Sequence, residues 1–600
     1  MAKQNVFKIM KGYAKSFPVL SRRAKTNAFP SHMLSGRITP KVKRLLSSKP
    51  FKFMKAVTRF FSLISSRAYG TAVLSFGLVT LILYFLGLSY DMSAVTPILG
   101  SVISILSIPF ILFDKPLSIL FQDFAVTDYI FFEFFCIKRL NQMETARHIP
   151  LIIPFALGVI ASLAGYLVPV WALMCGFVAF LFFCITMLSP EFAFFLSLMI
   201  LPYAEYIPYS TIILVSMVSI SALSFARKVM FGKRVMYLER YDLFIGIMML
   251  FILISGIFIK GFSSFAWSLE LVLLALGYTL ASNVIANRRL ADRAILSIVV
   301  SSFVPAVISI VKFIITLAGS NISTFADLVN SSVFKSSGVC AVFMMISIFY
   351  SSAMIIQSQG IRRFLFTLIT LADIACLLIS GELIALIALV LGTATFFTLK
   401  YPKISAWILI ALPIVPYSIA LLPETTIESL LLLVPSFNSA NELFDLWSSS
   451  VSAFVDNIFF GIGIGSESFI DEIAKYGINH ADNSANLFIE IGLEAGIFTL
   501  ISFVILLFLR VFHRSGYHFY VNNSELNVLA PVSTLCTLSL VAYGAFNYIW
   551  ADPSSYYLFW CVFGIGSAGL RVAKKENDDR MLYYEDTRAT YSSAIDINLL

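Results

Sequence analysis

Apolar runs of about 18 residues or more recur along most of this 600-residue chain, and no other feature restricts its fold as tightly. Each is long enough to cross a hydrocarbon layer of ~30 Å as a helix. Lipid offers backbone amides no partner, so spanning segments are either helices or closed barrels. Barrel strands alternate polar and apolar residues over about 10 positions, and these runs are continuous. The fold class is therefore all-α, a polytopic transmembrane helical bundle. Charged residues make up only 13% of the chain, about half the share of an ordinary soluble domain.

Sixteen segments qualify, and the expected bundle has about 14–16 spans. They cover residues 70–89, 94–113, 149–167, 170–189, 190–204, 209–226, 242–259, 265–285, 294–317, 337–356, 364–380, 382–399, 404–422, 487–509, 526–546 and 555–571. Residues 1–69 hold 16 Lys/Arg and no Asp or Glu, which marks a cytoplasmic segment by the positive-inside rule. From that start, Arg227, Arg234, Arg288, Arg289, Arg362, Arg363, Lys400, Arg510 and Arg571 all fall in cytoplasmic connections, and both termini lie inside. The opposite connections are nearly free of basic residues. The organisation expected is a basic segment at 1–69, a bundle over 70–422, an extracytoplasmic loop at 423–486, further spans over 487–571 and a cytoplasmic tail at 572–600. Residues 114–148 read as amphipathic and surface-lying. No motif points to nucleic acid. The seven cysteines show no CxxC pair or zinc spacing, so neither a disulfide, a structural metal nor a cofactor is expected.

The loop at 423–486 breaks the pattern of short connections. It holds nine acidic residues against Lys475 alone, with apolar stretches at 427–434 and 444–460 that predict short helices. Loops of this length are usually functional or disordered, and this one is not of low complexity. Its run GIGIGSESF at 461–469 places three glycines at alternate positions, which predicts a tight turn with close backbone approach. His480, Asp482 and Asn483 follow, then a span opening near Leu487, with Asn483 or Ser484 as its cap. Glu490 and Glu494 share one face of that helix. Carboxylates inside an apolar span are costly and usually mark a cavity or a partner.

The stretches Phe460–Phe469 and His480–Gly496 resemble the O-antigen ligase superfamily, which includes the Wzy-type polysaccharide polymerases. The resemblance implies a bacterial glycosyltransferase of the cytoplasmic membrane. Its substrates would be an undecaprenyl-diphosphate-linked glycan and a glycan or lipid acceptor, joined outside the membrane. Ser380-Gly381-Glu382 stands where the family often has Ser-Arg-Gly, and Asp482 where it often has a second His. Polymerase and ligase share a donor type, so sequence does not separate them.

Such a transfer needs a base for the acceptor hydroxyl. His480 is suited by its ordinary pKa near 6.5, with Asp482, Glu490 or Glu494 to orient it. The diphosphate needs cations, and Lys475, Lys335 and Lys312 are the candidates. Gly463, Gly465 and Asn483 would line the site. The alternatives are a transporter or flippase for lipid-linked sugars, using Asp373, Glu270 or Lys312 as intramembrane sites, and a non-catalytic envelope assembly protein.

Overall fold

A computed structural model describes residues 32–34, 63–87, 95–135, 149–164, 170–230, 234–258, 262–319, 334, 336–400, 440–478, 481–510 and 529–573. Every predicted span within them coincides with a helix; the segment 404–422 lies outside them. The helices are α1 (Ser66–Phe85), α2 (Val95–Leu112), α3 (Ile152–Leu163), α4 (Val170–Leu188), α5 (Pro190–Ile200), α6 (Ser210–Met230), α7 (Arg240–Phe258), α8 (Phe262–Val284) and α9 (Arg288–Gly319). They continue as α10 (Ser337–Gln357), α11 (Ile361–Ile379), α12 (Leu383–Lys400), α13 (Ala440–Asp456), α14 (Ser466–Ile473), α15 (Leu487–Phe508), α16 (Leu529–Gly544) and α17 (Pro553–Ala573). Eight of the described helices are long and apolar enough to cross a membrane: α1, α6, α7, α8, α9, α10, α15 and α17. Others are apolar but shorter. The only strands among the described residues are His32–Leu34 and Met236–Leu238, paired antiparallel with His32 opposite Leu238.

Helices α2 and α3 both pack on α1. Small polar residues tie that contact: Thr80 and Ser162 hydroxyls lie 2.9 Å apart, and Ser75 donates to the Phe155 carbonyl at 3.1 Å. Hydroxyls suit such interfaces because they let helices approach and need an acceptor in lipid. In the partly helical connection after α2, Phe134, at the close of a π-helical turn over Asp128–Phe134, and Phe135 reach the main core, where Phe135 meets Phe192 at 4.9 Å between ring centres. That core is densest around α10 and α17. Pro305 in α9 cannot donate to the Ser301 carbonyl one turn back; Tyr203 supplies the missing hydrogen bond at 3.2 Å.

The two ends of the bundle differ in charge. One end gathers the close of α6 and the starts of α5, α7, α9 and α11. There Lys228 and Arg234 pair with Glu191, Arg289 and Arg293 with Glu133, and Arg571 donates to the Ile285 carbonyl at 3.1 Å. Arg510, expected in an exposed connection, is instead buried at the end of α15, its guanidinium 4.9 Å from the Phe563 ring centre. Burying the guanidinium over an aromatic face recovers part of its lost hydration.

The other end gathers the starts of α8, α10, α15 and α17, the close of α11 and the loop helices α13 and α14. It carries Glu382, Glu490, Glu494 and Asp552. Asp552 accepts from the Ser555 amide at 2.7 Å. Burial holds its carboxyl above the usual carboxylate range despite that bond. This alternation generates a prediction. In a cysteine-free background, Gln359→Cys in the α10–α11 turn and Lys475→Cys beside α14 should face opposite sides of the membrane. A membrane-impermeant thiol reagent applied from one side should label one and spare the other; labelling of both would contradict the arrangement of helix ends.

Candidate active site at the acidic end

Helix α15 is not continuous. Gly496 sits at φ 81° and ψ 177°, far from helical values. A break inside an apolar helix frees carbonyls and amides that lipid cannot satisfy. The segment before α14 takes them up. Ile462 donates to the Leu493 carbonyl at 2.8 Å, Gly463 to the Glu494 carbonyl at 3.3 Å, and Ile497 donates to the Ile458 carbonyl at 2.8 Å. Ser255 of α7 adds a bond to the Glu494 carbonyl at 2.7 Å.

Glycine makes the contact possible on both strands of this pairing. A Cβ at Gly496 would stand 2.2 Å from the Phe459 carbonyl oxygen, and one at Gly461 2.4 Å from the Leu493 carbonyl oxygen. The glycine run is thus the tight turn its spacing predicts, with Gly461, Gly463 and Gly465 all at positive φ. Ser264 of α8 accepts from the Ile464 amide at 2.9 Å and fastens the turn from the other side.

Both carboxylates of α15 point into this assembly and are buried. Glu494 accepts from the Gly465 amide at 3.2 Å and from the Tyr548 hydroxyl at 2.7 Å. Burial and the Glu494 carboxylate push the Tyr548 phenol far above its usual value, so it stays a proton donor in that bond. Glu490 accepts from the Ser484 amide at 2.7 Å, one helical turn before Glu494. The helix cap is Asn486, which accepts from the Phe488 and Ile489 amides at 2.9 and 3.2 Å and donates to the Ala545 carbonyl at 2.9 Å. Asn483 and Ser484, the expected caps, do other work. Asn483 accepts from the Ala485 amide at 2.9 Å, and Ser484 donates to the Asn486 carbonyl at 3.1 Å.

The other predicted residues fall as follows. Gly463, Gly465, Glu490, Glu494 and Asn483 converge on the start of α15. Asp482 is exposed beside them. Lys475 is exposed and pairs with Glu472 at 2.5 Å. Lys312 is exposed on α9 with Val311, Ile314 and Ile315, and makes no ion pair among the described residues. His480 and Lys335 lie outside the described residues. Asp373 is fully buried between α9, α10 and α11, accepting from Ser347 at 2.5 Å and from Ser302 at 3.5 Å. Glu382 accepts from Ser337 at 2.6 Å and Tyr543 at 3.4 Å. Ser255, Ser264 and Tyr548, which hold the site together, were not singled out from the sequence. They lie on α7, on α8 and beyond α16, with no local pattern to connect them to residue 494. Among the described residues no group of three His, Cys, Asp or Glu is placed to hold a metal ion.

The arrangement can hold charge and protons at a fixed place. Two carboxylates are set by backbone donors, and one phenol is poised as donor. A prediction follows from the crossing of the two strands. Gly496→Ala should lower the melting midpoint of the purified protein sharply, since strain at such a backbone costs about 1–3 kcal/mol before any clash. Gly87→Ala, at φ 71° with open space around it, should move the midpoint far less. Equal midpoints would show that the break in α15 does not depend on glycine.

The model of the O-antigen ligase family matches residues 366–504. No curated protein matches the chain. The matched stretch runs from α11 through the glycine turn to the middle of α15, and contains both carboxylates. Such a domain supports a role in glycan ligation in the cell envelope. Residues 366–504 thus match the O-antigen ligase family model, within a polytopic bundle of apolar helices.

Proposed function

We propose that this chain is a membrane glycosyltransferase that polymerises or ligates polyprenyl-diphosphate-linked glycan units during cell-surface polysaccharide synthesis. The observation that carries the reading is the pair Glu490 and Glu494, buried and fastened to the backbone of a glycine turn inside the matched stretch 366–504. Carboxylates are rarely retained inside apolar helices without a task. The positive-inside rule assigns the basic end of the bundle to the cytoplasm, so the carboxylates, the glycine turn and Asp482 would face outward, where the finished glycan is displayed.

The chemistry requires that the acceptor hydroxyl lose a proton as its oxygen attacks the anomeric carbon. The bond from that carbon to the diphosphate breaks, and the diphosphate leaves on the polyprenyl carrier. His480 is the proposed base, two residues before Asp482 and ten before Glu490. Glu490 and Glu494 are positioning residues in this scheme. They accept from Ser484 and Gly465 and so fix the two chain segments that flank residue 480. Lys475, Lys335 and Lys312 are the proposed cations toward the diphosphate, with Gly463, Gly465 and Asn483 along the glycan path.

The test is made in cells that depend on the protein for their surface glycan. A general base contributes about 10²–10⁴-fold in rate. His480→Ala should therefore abolish product glycan while the lipid-linked precursor accumulates, with normal amounts of protein in the membrane. Glu494→Gln keeps the size and one acceptor oxygen but replaces the other with a donor, and should lower turnover by a smaller factor. Full product from His480→Ala would remove the histidine from the mechanism. Unchanged product from both variants would sink the transferase reading.

A further inference from the structure

Trp267 stands against the glycine turn. A Cβ at Gly465 would come within 3.3 Å of its Cδ1 atom. Glycine at 465 therefore leaves the indole uncovered as well as permitting the backbone its φ of 109°. The ring is 44% exposed, although it is the largest apolar side chain in the first turns of α8. Glu494 is one hydrogen bond away, through the Gly465 amide.

Glu270 lies three residues further along α8, on the same face as Trp267. It is half-buried, and its Oε1 atom lacks a hydrogen-bond partner among the described residues. Helices α8 and α15 both start at the acidic end. Glu270 is the ninth residue of one and Glu494 the eighth of the other, so both carboxylates sit roughly 10–12 Å along their helices. The indole thus borders the glycine turn, and the Glu270 carboxylate lies one helical turn further along the same face, at the depth of the buried pair. Both lie outside the stretch matched to the ligase family.

We propose that Trp267 and Glu270 form a pyranose-binding subsite beside Glu494, in which the indole stacks on the ring and the Glu270 carboxylate accepts from its hydroxyls. A pyranose has an apolar C–H face and a rim of hydroxyl donors, and this pair offers one surface for each. A polyprenyl tail would use the indole but leave the carboxylate facing hydrocarbon with no donor to accept from. The carboxylate as acceptor suits a rim of hydroxyl donors, so the class favoured is a neutral pyranose. This inference rests on the glycan reading above for its substrate and adds the residues that choose among glycans.

The probe is the lipid-linked glycan extracted from cells lacking this protein, presented to the full-length chain in lipid nanodiscs, with binding and turnover measured separately. Trp267→Ala should weaken binding roughly tenfold, and Trp267→Phe by a smaller factor because a ring is kept. Glu270→Gln should also weaken binding, and KM should rise more than kcat falls in all three. Each variant's melting midpoint is compared with that of the unaltered protein. Wild-type affinity in Trp267→Ala, or equal losses in Ala and Phe, would overturn the subsite and reduce Trp267 to a membrane-interface anchor. Binding that depends on Trp267 in a protein that turns nothing over would leave the subsite standing and remove the transferase reading. Failure of the unaltered protein to bind the extracted glycan would remove both.

Discussion

The break in α15 at Gly496 is the constraint on which the acidic end of this protein depends. A helix interrupted among apolar neighbours exposes backbone groups, and each group left unpaired costs about 1–3 kcal/mol or more. Here the Leu493 and Glu494 carbonyls and the Ile497 amide are all taken up by residues 458–463, with Ser255 as a further donor. The repair requires two backbones to cross at a separation that only glycine allows. Interrupted helices are tolerated in membranes where other protein segments re-satisfy them, and they recur where a ligand must meet backbone dipoles.

The same crossing sets the carboxylates. Because Gly463 and Gly465 are drawn against α15, the Gly465 amide comes within reach of Glu494 Oε1, and Tyr548 closes on Oε2. Glu490, one turn earlier, holds the Ser484 amide just ahead of the Asn486 cap. A charge placed by backbone amides moves only if the chain moves. That suits a site in which flexible polar groups must be held at one geometry. It also explains why the acids lie inside the apolar span and not in the loop before it, which has nine of its own.

Most of the bundle was legible in the sequence because a membrane helix is declared by its own length and apolarity, without reference to partners. The glycine turn was legible for a related reason: three alternate glycines have few uses except close approach. Glu490 and Glu494 stood out as charges in an apolar run. The break at Gly496 did not, since a single glycine in a membrane helix usually leaves it intact. The cap at Asn486 was missed because Asn483 and Ser484 are equally good capping residues, and the choice is made by the Ala545 carbonyl some sixty residues away. Arg510 reads as a loop cation, and only the packing of α17 shows it buried over Phe563. Lys312 was legible as an intramembrane charge, but its direction was not, and it faces outward from α9.

The matched stretch 366–504 holds both buried carboxylates and the glycine turn, yet it does not hold all that keeps them in place. Glu494 takes one bond from within that stretch, at Gly465, and another from Tyr548 beyond it; its carbonyl takes Ser255 from α7, and the glycine turn hangs on Ser264 of α8. Removing those partners would strip one of two donors from the buried Glu494 carboxylate and one from its carbonyl, at about 1–3 kcal/mol for each lost bond, against a total stability that is rarely more than about 15 kcal/mol. The site is therefore a property of the whole bundle. Helices α7, α8 and α17, which carry no part of the family match, are tied to it by hydrogen bonds and packing.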